Sequence, residues 1–100
     1  MKLKGRPRKK RIVRHKPGTV QFSPRGKRGR PGYNELKFEE YEAIRLADFT
    51  GLKQADAAGQ MGISQQTFSR VLNQGRKCLA EALVLGRIIK VGGGEYKLAK

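Results

Sequence analysis

Apolar residues recur along this chain with two different periods, and the change of period divides it. From Phe38 onward a helical rhythm dominates. Tyr41, Ile44 and Ala47 fall at three-residue spacing, with Glu39, Glu40 and Glu42 enriching the first turn, where a helix dipole favours acids. Gly51 is the expected stop. A short second helix fits Lys53 to Gln60 and turns Ala57, Ala58 and Met61 inward. Met61-Gly62-Ile63 reads as a turn, and Ser64 as the N-cap of a third helix from Gln65 to about Leu85. The apolar stripe of that helix is Phe68, Val71, Leu72, Cys78, Leu79, Ala82 and Leu83, close to a 3.6 period, and Gly86 ends it. Beyond it, Ile88-Ile89-Lys90-Val91 and Tyr96-Lys97-Leu98 flank Gly92-Gly93-Gly94-Glu95. This is the pattern of a small hairpin, which needs a neighbour to be stable.

Before Phe38 the rhythm nearly vanishes. Residues 1–34 are rich in Arg, Lys, Gly and Pro, a composition that predicts a largely mobile segment. Two apolar patches interrupt it, Ile12-Val13 and Val20-Gln21-Phe22, each able to form a short strand or a clip against the body. The predicted fold class is therefore mainly α: a three-helix helix-turn-helix domain with a basic, mostly extended N-terminal arm and a short C-terminal β-hairpin. The predicted division is an arm over 1–34, a helix-turn-helix domain over 35–86, and a hairpin or tail over 87–100.

Charge follows the same division. The 100 residues carry a formal net charge of +15. Thirteen Lys or Arg and no acid lie between Met1 and Asn34, whereas ten basic and eight acidic residues nearly balance from Glu35 to Lys100. A basic arm on a balanced body reads as a polyanion binder. Nucleic acid is the favoured partner, because neutralising phosphates releases condensed counterions. An anionic membrane is disfavoured, since the arm is poor in large apolar side chains and is broken by Pro7, Pro17, Pro24 and Pro31. No apolar run approaches the roughly 20 residues of a membrane span. The basic start lacks the apolar core of a signal peptide, and a lone Cys78 suits a reducing compartment. A cytoplasmic protein without a membrane partner is expected.

The spacing from Gln54 to Val71 sharpens this. Two helices crossing through a tight turn need a small residue on the inner face of the first, and Ala58 supplies it. Four residues later the turn needs a residue tolerant of positive φ, and Gly62 stands there. Ala57, Met61, Ile63, Phe68 and Val71 provide the apolar contacts that lock the angle. That geometry frees Gln65, Gln66, Ser69, Arg70 and Asn73 at the start of the third helix. Gln and Asn pair bidentately with adenine, and Arg with guanine, in the major groove. The plainer alternative is a solvated polar face on an ordinary three-helix bundle.

These stretches resemble a known family. Arg6-Pro7-Arg8-Lys9, Glu42-Ala43-Ile44-Arg45-Leu46-Ala47-Asp48, Gly51-Leu52, Gln54, Ala57-Ala58, Met61-Gly62-Ile63-Ser64-Gln65-Gln66-Thr67-Phe68, Ala80-Glu81-Ala82-Leu83 and Gly92-Gly93 are similar to domain-of-unknown-function family 134. These are small bacterial and archaeal proteins predicted to bind DNA through a helix-turn-helix like region four of sigma-70 factors. The resemblance implies groove-reading roles for Gln65, Gln66, Ser69 and Arg70. Lys53 departs from the capping Ser or Thr common at that position. Lys cannot accept an amide bond, so a phosphate contact is its alternative use.

In the arm, Arg28-Gly29-Arg30-Pro31 matches the core of an AT-hook, and Lys4-Gly5-Arg6-Pro7 echoes it. Gly lets an extended backbone enter a narrow minor groove while arginines seek its negative potential. The expected backbone or minor-groove contacts are Arg6, Arg8, Lys9, Lys10, Arg28, Arg30, Lys53, Ser64 and Thr67. The division of labour resembles that of homeodomains, with arm and reading helix in adjacent grooves.

Other chemistry is poorly represented. One Cys and one His cannot make an ordinary zinc site, and His15 has no neighbouring carboxylate or second His in sequence. Gly92-Gly93-Gly94 lacks the Gly-Lys-Ser/Thr of a phosphate loop. Glu39, Glu40 and Glu42 read most simply as helix-start acids, and Cys78 as a core residue. No ligand pocket is evident. No enzyme activity, cofactor or metal is expected. The leading expectation is sequence-selective binding of double-stranded DNA to regulate transcription, as a homodimer joined through the C-terminal hairpin and the distal half of the third helix. The alternative is a structural or ribosome-associated RNA-binding protein. A third reading is an interaction module contacting RNA polymerase.

Overall fold

The computed structural model describes residues 10–26, 29–94 and 96–98. Strands β1 (Arg11–Val13), β2 (Gln21–Phe22) and β3 (Tyr33–Leu36) precede helix α1 (Phe38–Ile44). Helices α2 (Gln54–Met61) and α3 (Gln65–Leu85) follow, then strands β4 (Ile88–Val91) and β5 (Tyr96–Leu98). The described residues thus form a small α/β domain of three helices and short strands.

Each helix starts and stops for a local reason. At the start of α1 the Glu40 carboxylate accepts the Lys37 backbone N–H at 3.0 Å, the acid's half of a capping box. Instead of running evenly to Gly51, α1 widens into a π-helical turn over Arg45–Phe49, closed by the Thr50 N–H on the Arg45 carbonyl at 2.8 Å. At the end of α2, Gly62 takes a left-handed φ of 69°. The Gly62 N–H bonds the Gly59 carbonyl and the Ile63 N–H bonds the Ala58 carbonyl, the reciprocal pattern of a Schellman stop. Only three residues separate α2 from α3. Ser64 then caps α3, its Oγ accepting the Thr67 N–H at 3.0 Å.

The core is helical. Ala43, Leu46, Ala57, Ala58, Met61, Phe68, Val71 and Leu72 form one buried cluster, with Leu52 and Ile63 packed against it. The two alanines let α2 approach α3 closely. Gly75 does the same where α1 crosses α3: a Cβ there would lie 2.9 Å from Ile44 Cδ1 and 3.1 Å from Glu40 Cβ.

The predicted C-terminal hairpin does not form. β4 and β5 bond to other strands rather than to each other. β4 is the centre of a three-stranded sheet, antiparallel to β2 and parallel to β3, whereas β5 pairs in parallel with β1. The cause lies in the glycine loop. The Gly92 N–H bonds the Leu36 carbonyl and the Phe38 N–H bonds the Gly93 carbonyl, so the loop is tied to the β3–α1 junction. Tyr96 is held there too, its ring packing edge-on against Phe38 at 4.8 Å between centroids. With β2 and β3 on both edges of β4, no edge is left for β5 to pair with. The neighbours that a hairpin would need are supplied instead by the arm, whose two apolar patches become β1 and β2.

A second correction concerns Leu83, expected on the apolar stripe of α3 but 82% exposed. Ala82 beside it is buried, so the packed face of α3 passes on the other side of Leu83.

Candidate nucleic-acid interface

The first half of α3 presents one continuous polar face. Gln65, Gln66, Arg70 and Asn73 are exposed, and Ser69 and Thr67 are half-buried. A surface hollow of about 700 Å³ gathers Gln66, Thr67, Ser69, Arg70 and Asn73, together with Gln74 and Lys77. Gln65 stands at the opening of the helix, outside that hollow. Gln74 and Lys77 are additions to the predicted set. Positions 66, 70, 73 and 77 recur at helical spacing, so extending the stripe by one turn finds them from sequence. Among the described residues no acid lines this surface.

Its foundation is rigid. Phe68 and Leu72 are fully buried beneath it, Val71 nearly so, and the turn before it is set by the left-handed Gly62. Farther along α3 the Arg76 guanidinium grips Asp48 with bonds of 3.0 and 2.6 Å, tying the π turn to the helix. Arg76 thereby holds the Asp48 carboxyl below the usual range.

The predicted backbone contacts are dispersed. Ser64 and Thr67 are engaged with each other: besides the capping bond, the Ser64 hydroxyl donates to Thr67 Oγ1 at 3.0 Å. Lys53 is exposed at the start of α2, where its side chain makes no capping bond. Lys10 and Arg30 are exposed. Arg6, Arg8, Lys9 and Arg28 lie outside the described residues, and with them the whole of Lys4-Gly5-Arg6-Pro7 and the opening of Arg28-Gly29-Arg30-Pro31.

Glu42 has a role that sequence reasoning missed. It is fully buried, and its carboxylate accepts the Arg14 backbone N–H at 2.9 Å and the Arg45 guanidinium at 2.9 and 3.0 Å. It is an anchor joining the arm to α1 as well as an acid near a helix start. The pairing holds Arg45 above its ordinary range, first through the hydrogen bond to Glu42. The i,i+3 pair Glu42–Arg45 has the spacing of a helix pair; the arm amide that Glu42 receives has no local signal.

Cys78 is half-buried, with its Sγ 3.6 Å from the Glu35 carbonyl oxygen. Burial pushes its thiol up, and Glu40 and Glu81 push the same way, which disfavours the reactive thiolate. His15 lies on the rim of an open apolar groove of about 630 Å³ between α1, α3 and the three-stranded sheet, lined by Phe22, Tyr41, Ile44, Phe49 and Leu79 among others. Sequence reasoning saw no such concavity, because its walls come from distant segments. Among the described residues no group of three His, Cys, Asp or Glu is arranged to hold a metal ion, and no helix is long and apolar enough to cross a membrane.

Comparison with known proteins is consistent along the chain. A family described as protein of unknown function DUF134 matches residues 1–99. A UPF0251 protein of Methanococcus maripaludis is 41% identical over 96 residues, covering 95% of this chain and 74% of that relative. A UPF0251 protein of Halothermothrix orenii is 44% identical over 96 residues, covering 95% and 71%. One of Methanothermobacter thermautotrophicus is 46% identical over 91 residues, covering 91% of this chain but 48% of its own length. No solved structure matches significantly. The chain belongs to the DUF134 family.

Proposed function

We propose that this DUF134 member is a helix-turn-helix protein that binds double-stranded DNA with sequence preference and regulates transcription, without enzymatic activity. One observation carries the reading: the acid-free face of Gln66, Ser69, Arg70 and Asn73 projects from the start of α3, directly after a three-residue turn. Amide and guanidinium groups are the side chains that read base edges bidentately. The buried cluster beneath them fixes their direction, as recognition requires. The excess of cations in residues 1–34 supplies the electrostatic part of binding, along the backbone or in the minor groove.

In this reading Gln65, Gln66, Ser69, Arg70 and Asn73 meet bases, and the protein works in the cytoplasm. Two copies pair to double the site read. The exposed Leu83 and Val84 at the distal end of α3 support that pairing.

The test is selection of bound fragments from random duplex DNA at physiological salt, repeated with Gln66→Ala and Arg70→Ala. Each substitution relaxes the preference at its own base by ~1–3 kcal/mol. Unchanged preference in both variants, or displacement by structured RNA but not by duplex DNA, overturns the reading.

A further inference from the structure

The arm and the C-terminal strand meet beside the turn that launches α3, and they bring two cations there. Successive strand residues face opposite ways, so Lys10 and Ile12 share one face of the β1 ribbon while Arg11 and Val13 turn to the other, where both are buried. In the parallel pairing with β5, Ile12 stands opposite Lys97, which places Lys97 on the same face as Ile12 and Lys10. That face is pressed on the turn: a Cβ at Gly62 would lie only 3.2 Å from Ile12 Cδ1. Lys10, Ile12, Gly62 and Lys97 together line one hollow of about 400 Å³. Both lysines are exposed, and among the described residues no acid lines the hollow.

Two like charges converging on one concavity repel each other, and an anion between them removes that penalty. The position says which anion. In helix-turn-helix docking the first helix crosses the phosphate backbone and the second enters the groove, so the turn between them lies at backbone level. We propose that the β1–β5 ribbon is a structured phosphate clamp, in which Lys10 and Lys97 grip the DNA backbone beside Gly62 while α3 reads the adjacent major groove. The proposal rests on the reading of α3 given above and adds a residue, Lys97, from the opposite end of the chain. It gives the ribbon a purpose beyond packing: Ile12 wedges it against the turn, so the phosphate grip and the reading helix keep a fixed spacing.

The experiment measures duplex affinity of the whole chain between about 50 and 200 mM salt for Lys10→Ala, Lys97→Ala, the double variant and Lys97→Arg, beside Arg70→Ala. Each alanine variant lowers the slope of log affinity against log salt by about 0.9, so its loss is roughly 3.5-fold greater at the low-salt end. The double variant loses about twice that slope, base preference is unchanged in every lysine variant, and Lys97→Arg keeps the full slope. An unchanged slope in a folded Lys97→Ala protein, while Arg70→Ala still relaxes base preference, overturns the clamp and leaves the reading of α3 standing. A slope loss not rescued by Lys97→Arg marks altered packing and also overturns it. No duplex binding by the unaltered chain overturns both.

Discussion

The helical half and the sheet half of this domain are held together in different ways. In the helical half one apolar cluster, with Phe68, Met61 and Leu72 fully buried, closes around small residues that let the helices touch. In the sheet half, short strands leave Val20, Phe22 and Leu98 about half exposed, and β1, β3 and β4 contribute one core residue each, Val13, Leu36 and Val91. The sheets are kept in place less by burial than by tethers: the Arg14 amide on Glu42, the Asn34 side chain on the Cys78 carbonyl, and the glycine loop on the start of α1. Rigidity for a projecting helix face comes from the first half. The second half positions charge, and it does so by attachment.

Three substitutions test that contrast. The largest effect is expected in the helical core: Phe68→Ala removes a fully buried ring and costs about 3–5 kcal/mol in chemical denaturation. A loss under ~1 kcal/mol would mean that the cluster does not bear the stability assigned to it.

Glu42→Gln attacks the tether between the halves. It leaves the Arg45 guanidinium without its charged partner and weakens the bond to the Arg14 amide, at a cost of roughly 3 kcal/mol. Hydrogen exchange at the Arg14 amide rises more than exchange in α3. Equal rises in both would show that arm and helices open as one unit, contrary to the tether picture.

The smallest effect belongs to the exposed Asp48–Arg76 pair. Asp48→Asn costs under ~1 kcal/mol, because solvent screens an ion pair with side chains 39% and 48% accessible. Its pH signature follows from the depressed Asp48 carboxyl. The contribution is complete above the unfolded-state carboxylate range and disappears as pH falls through the lower folded value. Glu40 works oppositely: burial raises its carboxyl, so the penalty for its charge is relieved on acidification and returns as pH rises through its folded value. Urea midpoints between pH 2 and 7 should show the acid-side loss shrinking in Asp48→Asn while the Glu40 trend persists.

Much of the helical half was legible. The spans of α2 and α3 came out within a residue, since Gly62, Ser64 and Gly86 act on hydrogen bonds a few positions away. The π turn was not, because nothing in Arg45-Leu46-Ala47-Asp48-Phe49 forbids an ordinary helix; there the widened turn accompanies a pairing of Asp48 with Arg76, a residue of another helix. The polar face of α3 was visible as a stripe, though it was stopped a turn too early. Lys97 carried no signal, because its neighbour across the ribbon is Ile12, near the other end of the chain.

By itself the chain's sequence determined where α2 and α3 begin and end, which face of α3 stays polar, and that cations concentrate in residues 1–34. These depend on interactions between residues three or four apart, or on composition alone. Only the tertiary structure decided which strands pair, that Glu42 receives an arm amide, and that β1 and β5 meet beside Gly62. A strand of two to four residues has too little surface to choose its partner locally. The choice goes to whichever edges the packed helices leave within reach.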